Sequence, residues 1–89
     1  MKKRYKIRVS GKVQGVWFRK NTMIKALEFG VLGYVQNLSD GSVYIDAEGS
    51  EKEVQQLIAW CLKGTERSRV DRVDVDEDEP AGYVGFEIR

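Results

Sequence analysis

Arg19 and Asn37 are the side chains best suited to work on an anion, and two glycines, Gly11 and Gly15, stand just ahead of the first of them. The stretch Val9-Ser10-Gly11-Lys12-Val13-Gln14-Gly15-Val16-Trp17-Phe18-Arg19 runs from an alternating apolar pattern through both glycines to the arginine. Glycine takes left-handed or crowded backbone conformations closed to other residues, which lets consecutive N–H groups face one ligand. A helix opening just beyond adds unpaired N–H groups and the positive end of its dipole. Arginine contributes a planar fork of donors that matches two oxygens of a phosphoryl or carboxylate group. The segment reads either as a phosphate cradle or as an ordinary strand-to-helix turn with no ligand. Asn37 has two readings as well. Its amide can grip a water and aim it at an electrophilic centre, a task of geometry without proton transfer. It can equally support a turn by bonding backbone near Ser39 and Asp40.

What the chain lacks narrows the chemistry. There is no histidine, so the usual general base near neutral pH and every imidazole-dependent triad are missing. Cys61 is the single cysteine, which excludes an internal disulfide and, with no histidine, an ordinary zinc or haem site. The formal net charge of +1 leaves no global field to recruit nucleic acid or an acidic membrane, so anion selectivity must be local. No apolar run approaches the length of a membrane span, and the basic start Lys2-Lys3-Arg4 lacks the apolar stretch of a signal peptide. The expectation is a soluble cytoplasmic protein whose 89 residues form one domain around one core.

The elements that must position Arg19 and Asn37 are marked by periodicity. Tyr5, Ile7 and Val9 alternate with Lys6, Arg8 and Ser10, predicting a strand that feeds the glycine loop. Met23, Ala26, Leu27 and Gly30 fall at helical spacing and predict a helix from about Phe18 to Phe29, stopped by Gly30. Leu32 to Leu38 and Ser42 to Glu48 flank Ser39-Asp40-Gly41 as a hairpin. Ser50-Glu51-Lys52-Glu53 has the spacing of a capping box ahead of Val54, Leu57, Ile58, Cys61 and Leu62, a second helix that ends at Gly64. Val70, Val73 and Val75 predict a fourth strand, and Val84, Phe86 and Ile88 a short last one, with Asp76-Glu77-Asp78-Glu79-Pro80 as the loop between them. The order is that of an α+β, ferredoxin-like split βαβ, with two helices on one face of a mainly antiparallel sheet. It puts the first strand beside the fourth, where Lys6 and Arg8 meet Asp71, Asp74 and Asp76. The acidic run reads as a solvated strand face, without the looped spacing that calcium requires.

Taken together, Val9-x-Gly11-x-Val13-Gln14-Gly15-Val16-x-Phe18-Arg19 resembles the first signature of the acylphosphatases. Gly33-Tyr34-Val35-Gln36-Asn37, then Gly41-x-Val43 and Gly49, resembles the second at each defined position. The likeness extends along essentially the whole chain, through Ser68-Arg69-Val70-Asp71-Arg72-Val73 to Phe86-x-Ile88. It implies a metal-free, cofactor-free, monomeric enzyme that hydrolyses the carboxyl-phosphate bond of acyl phosphates and releases inorganic phosphate, with no nucleic-acid or membrane partner. By the same resemblance Arg19 binds the phosphate, the N–H groups of Gln14, Gly15, Val16, Trp17 and Phe18 surround it, and Asn37 positions the attacking water.

Trp17 occupies a slot where members of that family often carry glycine or a smaller residue. Its indole either walls the acyl part of the substrate or packs over the first helix, and packing is the favoured expectation. Gly64-Thr65-Glu66, where relatives often have prolines, bears on loop stiffness alone. Cys61 lies on the apolar stripe of the second helix and belongs to the core. Two rivals stay open: an RNA-binding sheet that uses Tyr34 and Tyr44 as stacking platforms, and a noncatalytic anion sensor.

Overall fold

A computed structural model describes residues 1–89. Its elements run β1 (Lys3–Lys12), α1 (Phe18–Phe29), β2 (Leu32–Asn37), β3 (Val43–Gly49), α2 (Glu51–Lys63), β4 (Arg69–Asp78) and β5 (Phe86–Ile88). The five strands form one sheet in the order β4-β1-β3-β2-β5. β1 is antiparallel to both β3 and β4, β2 is antiparallel to β3, and only β5 runs parallel, beside β2. This is the ferredoxin-like α+β arrangement with both helices on one face.

Strand alternation decides what each face does. Ile7 and Val9 of β1, Val35 of β2, and Val43, Ile45 and Ala47 of β3 are all fully buried toward the helices. They meet Phe18 and Ala26 of α1 and Val54, Leu57 and Cys61 of α2. Burying a side chain of this size contributes about 1.5–3 kcal/mol, so the shared core is the main support of the site above it.

Three sequence expectations are corrected here. The acidic run Asp76-Glu77-Asp78 is strand, not loop, because β1 lays a basic edge against it. Lys6 pairs with Asp78 at 3.4 Å, Arg4 with Asp78 at 3.5 Å and Lys3 with Glu77 at 3.9 Å. The backbone register does set Lys6 opposite Asp76 and Arg8 opposite Asp74. The side chains choose differently, since Asp71 and Asp74 bond Arg69 and Arg72 on their own strand at 2.9 and 2.8 Å. Second, β5 starts only at Phe86 and leaves Val84 fully exposed. Third, the buried face of α1 is Phe18, Thr22 and Ala26, whereas Leu27 is exposed. The Phe18 ring packs on Trp60 of α2 with centroids 5.1 Å apart, and this contact sets the helix's rotation.

The sheet face away from the helices is crossed by the β4–β5 connection. Glu48 accepts from the N–H groups of Ala81 and Gly82, and Tyr83 packs edge-on against Tyr34 at 6.0 Å. Beneath it the buried Asp46 accepts from Arg4 at 2.7 Å and from the Tyr44 hydroxyl at 2.8 Å. Burial alone would raise the Asp46 carboxyl, but these bonds outweigh it and hold it below the ordinary carboxylate range. Arg89 lies over the Tyr34 ring at 3.9 Å. Tyr34 and Tyr44 are therefore engaged within the fold, Tyr34 with Tyr83 and Arg89 and Tyr44 with Asp46.

Candidate active site

The cradle begins where β1 and β4 part. Their register shifts between Ser10 and Gly11, and Gly11 takes φ 130° at the irregularity. A Cβ there would collide with the carbonyl oxygen of Arg69, so this glycine serves close backbone approach within the sheet rather than the loop. The loop itself alternates inward and outward. Val13, Val16 and Phe18 are buried pegs, while Gly15 and Trp17 stay exposed. Gly15 has φ 72° and Trp17 has φ 64° with ψ 20°, the only left-handed non-glycine residue in the chain. Left-handed residues interleaved with ordinary ones turn successive N–H groups toward one side, making an anion-binding concavity. Backbone hydrogen bonds of the turns, loops and caps draw no donor from Gln14, Gly15, Val16 or Trp17.

Two side chains pin the loop. Gln14 Nε2 donates to the carbonyl oxygens of Leu38 and Ser42, at 2.8 Å each, which ties the loop to both sides of the β2–β3 turn. Thr65 Oγ1 donates to the Val16 carbonyl oxygen at 3.2 Å. The segment after α2 therefore braces the loop, a role beyond the stiffness expected of Gly64-Thr65-Glu66.

α1 opens on this loop with Trp17 as its N-cap, without a side-chain cap bond and with no acidic residue in the first turn. Its initial N–H groups and positive dipole end are left for whatever occupies the cavity in front. That cavity has a volume of about 310 Å³ and is lined by Val13, Gly15, Trp17, Phe18, Arg19 and Lys20 from the loop and helix start. Asn37 and Ile88 close it from the ends of β2 and β5. Arg19 forms no ion pair with an Asp or Glu side chain, and its one polar contact is Nη1 donating to the main-chain oxygen of Arg89 at 3.4 Å. Asn37 is exposed and bonds nothing in the turn beside it. The turn is held by Asp40, whose carboxylate accepts from the N–H and hydroxyl of Ser42 and is lowered by those bonds. The polar support of the turn comes from Asp40 rather than from the Asn37 amide.

Of the residues singled out in the sequence, Gly15, Trp17, Phe18, Arg19 and Asn37 share this one cavity, while the side chains of Gln14 and Val16 do not line it. Trp17 is 67% exposed and meets α1 through Lys20, whose Nζ stands 5.5 Å from the indole centroid, so the close packing over α1 that the sequence suggests is not formed. Sequence reasoning missed Lys20 and Ile88. Lys20 had a signal in its place on the first turn of α1; Ile88 becomes a neighbour only through the parallel β2–β5 pairing, where it sits opposite Val35. Cys61 is buried, and burial pushes its thiol up to about 12, as suits a core residue. No carboxylate, hydroxyl or thiol lines the cavity. It offers fixed donors, two cations and an amide, which suits holding an anion and orienting a neutral partner.

A family profile described as acylphosphatase matches residues 5–88. An acylphosphatase of Shewanella amazonensis is 52% identical over 87 residues, spanning 97% of this chain and 96% of that protein. The crystal structure of the acylphosphatase from Bacillus subtilis superposes with a TM-score of 0.94 at 36% identity, covering 100% of this chain and 99% of the other. The acylphosphatase of Coxiella burnetii gives a TM-score of 0.95 at 35% identity, covering 99% and 93%.

Proposed function

The chain belongs to the acylphosphatase family and is an acylphosphatase hydrolase; we propose that it cleaves the acyl phosphate by in-line attack of an Asn37-positioned water on phosphorus. The phosphoryl group sits in the cradle, its oxygens meeting the N–H groups of residues 14–18 and the guanidinium of Arg19. The Asn37 amide, at the end of β2 across the same cavity, holds the water opposite the acyl oxygen. The new bond is from water oxygen to phosphorus, and the bond that breaks joins phosphorus to the bridging oxygen. That oxygen leaves with the acyl group as a carboxylate, a good leaving group that needs no protein acid. The proton of the water passes to a phosphoryl oxygen, and the products are a carboxylate and inorganic phosphate. Catalysis of this kind rests on positioning and on donors aimed where charge sits in the transition state.

One observation carries the reading. Arg19, the uncapped helix start and Asn37 line a single cavity that has no acidic, thiol or hydroxyl side chain to serve as general base. The test is a spectrophotometric assay of benzoyl phosphate hydrolysis, run with and without a chelator. Equal turnover in both supports the mechanism. Loss of turnover on chelation overturns its metal independence, and no turnover in either leaves a noncatalytic anion sensor.

A further inference from the structure

Trp17 holds a position that its backbone disfavours and that its side chain supports only by an exposed cation–π contact with Lys20. Its φ of 64° lies in the left-handed region, where a bulky residue is strained and glycine is not. With 67% of its surface exposed, the indole does not belong to the core cluster. It makes no cap bond to the helix it precedes. Folding alone is better served by glycine here, so the indole must act outside the fold. Trp17 borders two cavities, one shared with Asn21, Trp60 and Thr65 and one shared with Arg19 and Asn37, and the second is where the proposed reaction takes place.

Trp17 lines the same 310 Å³ space as Arg19 and Asn37, a volume at the low end of small-molecule sites but ample for more than a phosphate. The polar side chains of the lining are Arg19, Lys20 and Asn37, and the apolar ones are Val13, Trp17, Phe18 and Ile88. Lys20 Nζ stands 5.5 Å from the indole centroid, a cation–π distance that favours one orientation of the ring. Ile88, itself 40% exposed, presents a second apolar surface from the end of β5.

We infer that Trp17, with Ile88, forms the acyl subsite and selects acyl phosphates whose acyl group is aromatic or branched and apolar over those with small acyl groups. The inference rests on the proposed reaction, since it assigns the half of the substrate that the cradle does not grip. Trp17 is a specificity residue: its N–H serves the phosphate like its neighbours', and its ring sorts the acyl group.

The experiment compares kcat/KM for benzoyl phosphate and acetyl phosphate in the wild type, Trp17→Gly and Trp17→Phe, with the melting temperature of each. Trp17→Gly keeps the N–H and removes the ring. The benzoyl-to-acetyl ratio is expected to fall about tenfold in Trp17→Gly, the scale on which apolar pockets discriminate, and to be largely restored in Trp17→Phe. The melting temperature of Trp17→Gly is expected to rise as the left-handed strain is relieved. An unchanged ratio in Trp17→Gly overturns the subsite, and a lowered melting temperature overturns the premise that the indole is idle in folding. Failure of the wild type to hydrolyse either compound would instead strike the proposed reaction, so the two failures are distinct.

Discussion

The two helices of this protein begin in opposite ways. α2 starts with a complete capping box: the Ser50 hydroxyl accepts from the Glu53 N–H at 3.1 Å, and the Glu53 carboxylate accepts from the Ser50 N–H at 2.9 Å. Glu51 and Glu53 also place negative charge at its positive end. α1 has neither device, and it follows Trp17 with the cations Arg19 and Lys20 in its first turn. Cations there oppose the dipole, and unpaired N–H groups forgo roughly 1 kcal/mol of capping. One start is closed by the chain's own side chains and the other is left open to an anion. The stability that α1 forgoes is a measure of what the fold concedes to its site.

That contrast can be broken at graded strengths. Arg19→Ala removes the only guanidinium facing the cradle, and turnover is expected to fall at least about a hundred- to a thousand-fold, as for loss of one preorganised donor. Steady-state hydrolysis together with inorganic phosphate inhibition reads it, and both should fail. Lys20→Glu gives α1 the acidic first turn that α2 already has. It should stabilise the helix by about 0.3–1 kcal/mol while weakening phosphate inhibition, so that melting temperature and affinity move in opposite directions. Ser50→Ala opens α2 instead and should cost about 1 kcal/mol in a denaturant melt with kcat unchanged. Glu53 adds a pH signature to this last effect. Bonds from the Ser50 N–H, then the Ser50 hydroxyl, hold its carboxyl below the ordinary value. Its contribution is therefore complete above the unfolded carboxyl range and fades as pH falls through the lowered folded value. The stability lost in Glu53→Gln, which removes the charge and leaves the N–H of residue 50 in place, should shrink toward acid.

The capped start was legible in the sequence and the open one only half so. Ser50 and Glu53 are a local pattern, and strand alternation at Tyr5, Ile7 and Val9 or at Val43 and Ile45 needs no knowledge of distant partners. The acidic end of β4 was misread because its strand state depends on Lys3, Arg4 and Lys6, more than seventy residues away in the chain. The rotation of α1 was hidden for the same reason, being set by Phe18 against Trp60. Within the site, Arg19 and Asn37 stood out by residue type and motif. The bond from Gln14 to the hairpin turn, the brace from Thr65 and the approach of Ile88 are tertiary contacts, with no local pattern to announce them. Gly11 shows the converse: the motif contains it, but its reason lies across the sheet at Arg69.

The central claim is a division of labour, with Arg19 and the open helix start holding phosphate and Asn37 acting only on the water. Asn37→Ala separates the two functions in one measurement, the inhibition constant of inorganic phosphate determined alongside kcat on benzoyl phosphate. The account predicts phosphate affinity within about twofold of the wild type and turnover reduced on the order of a hundredfold or more. Lost phosphate affinity with turnover retained would contradict it.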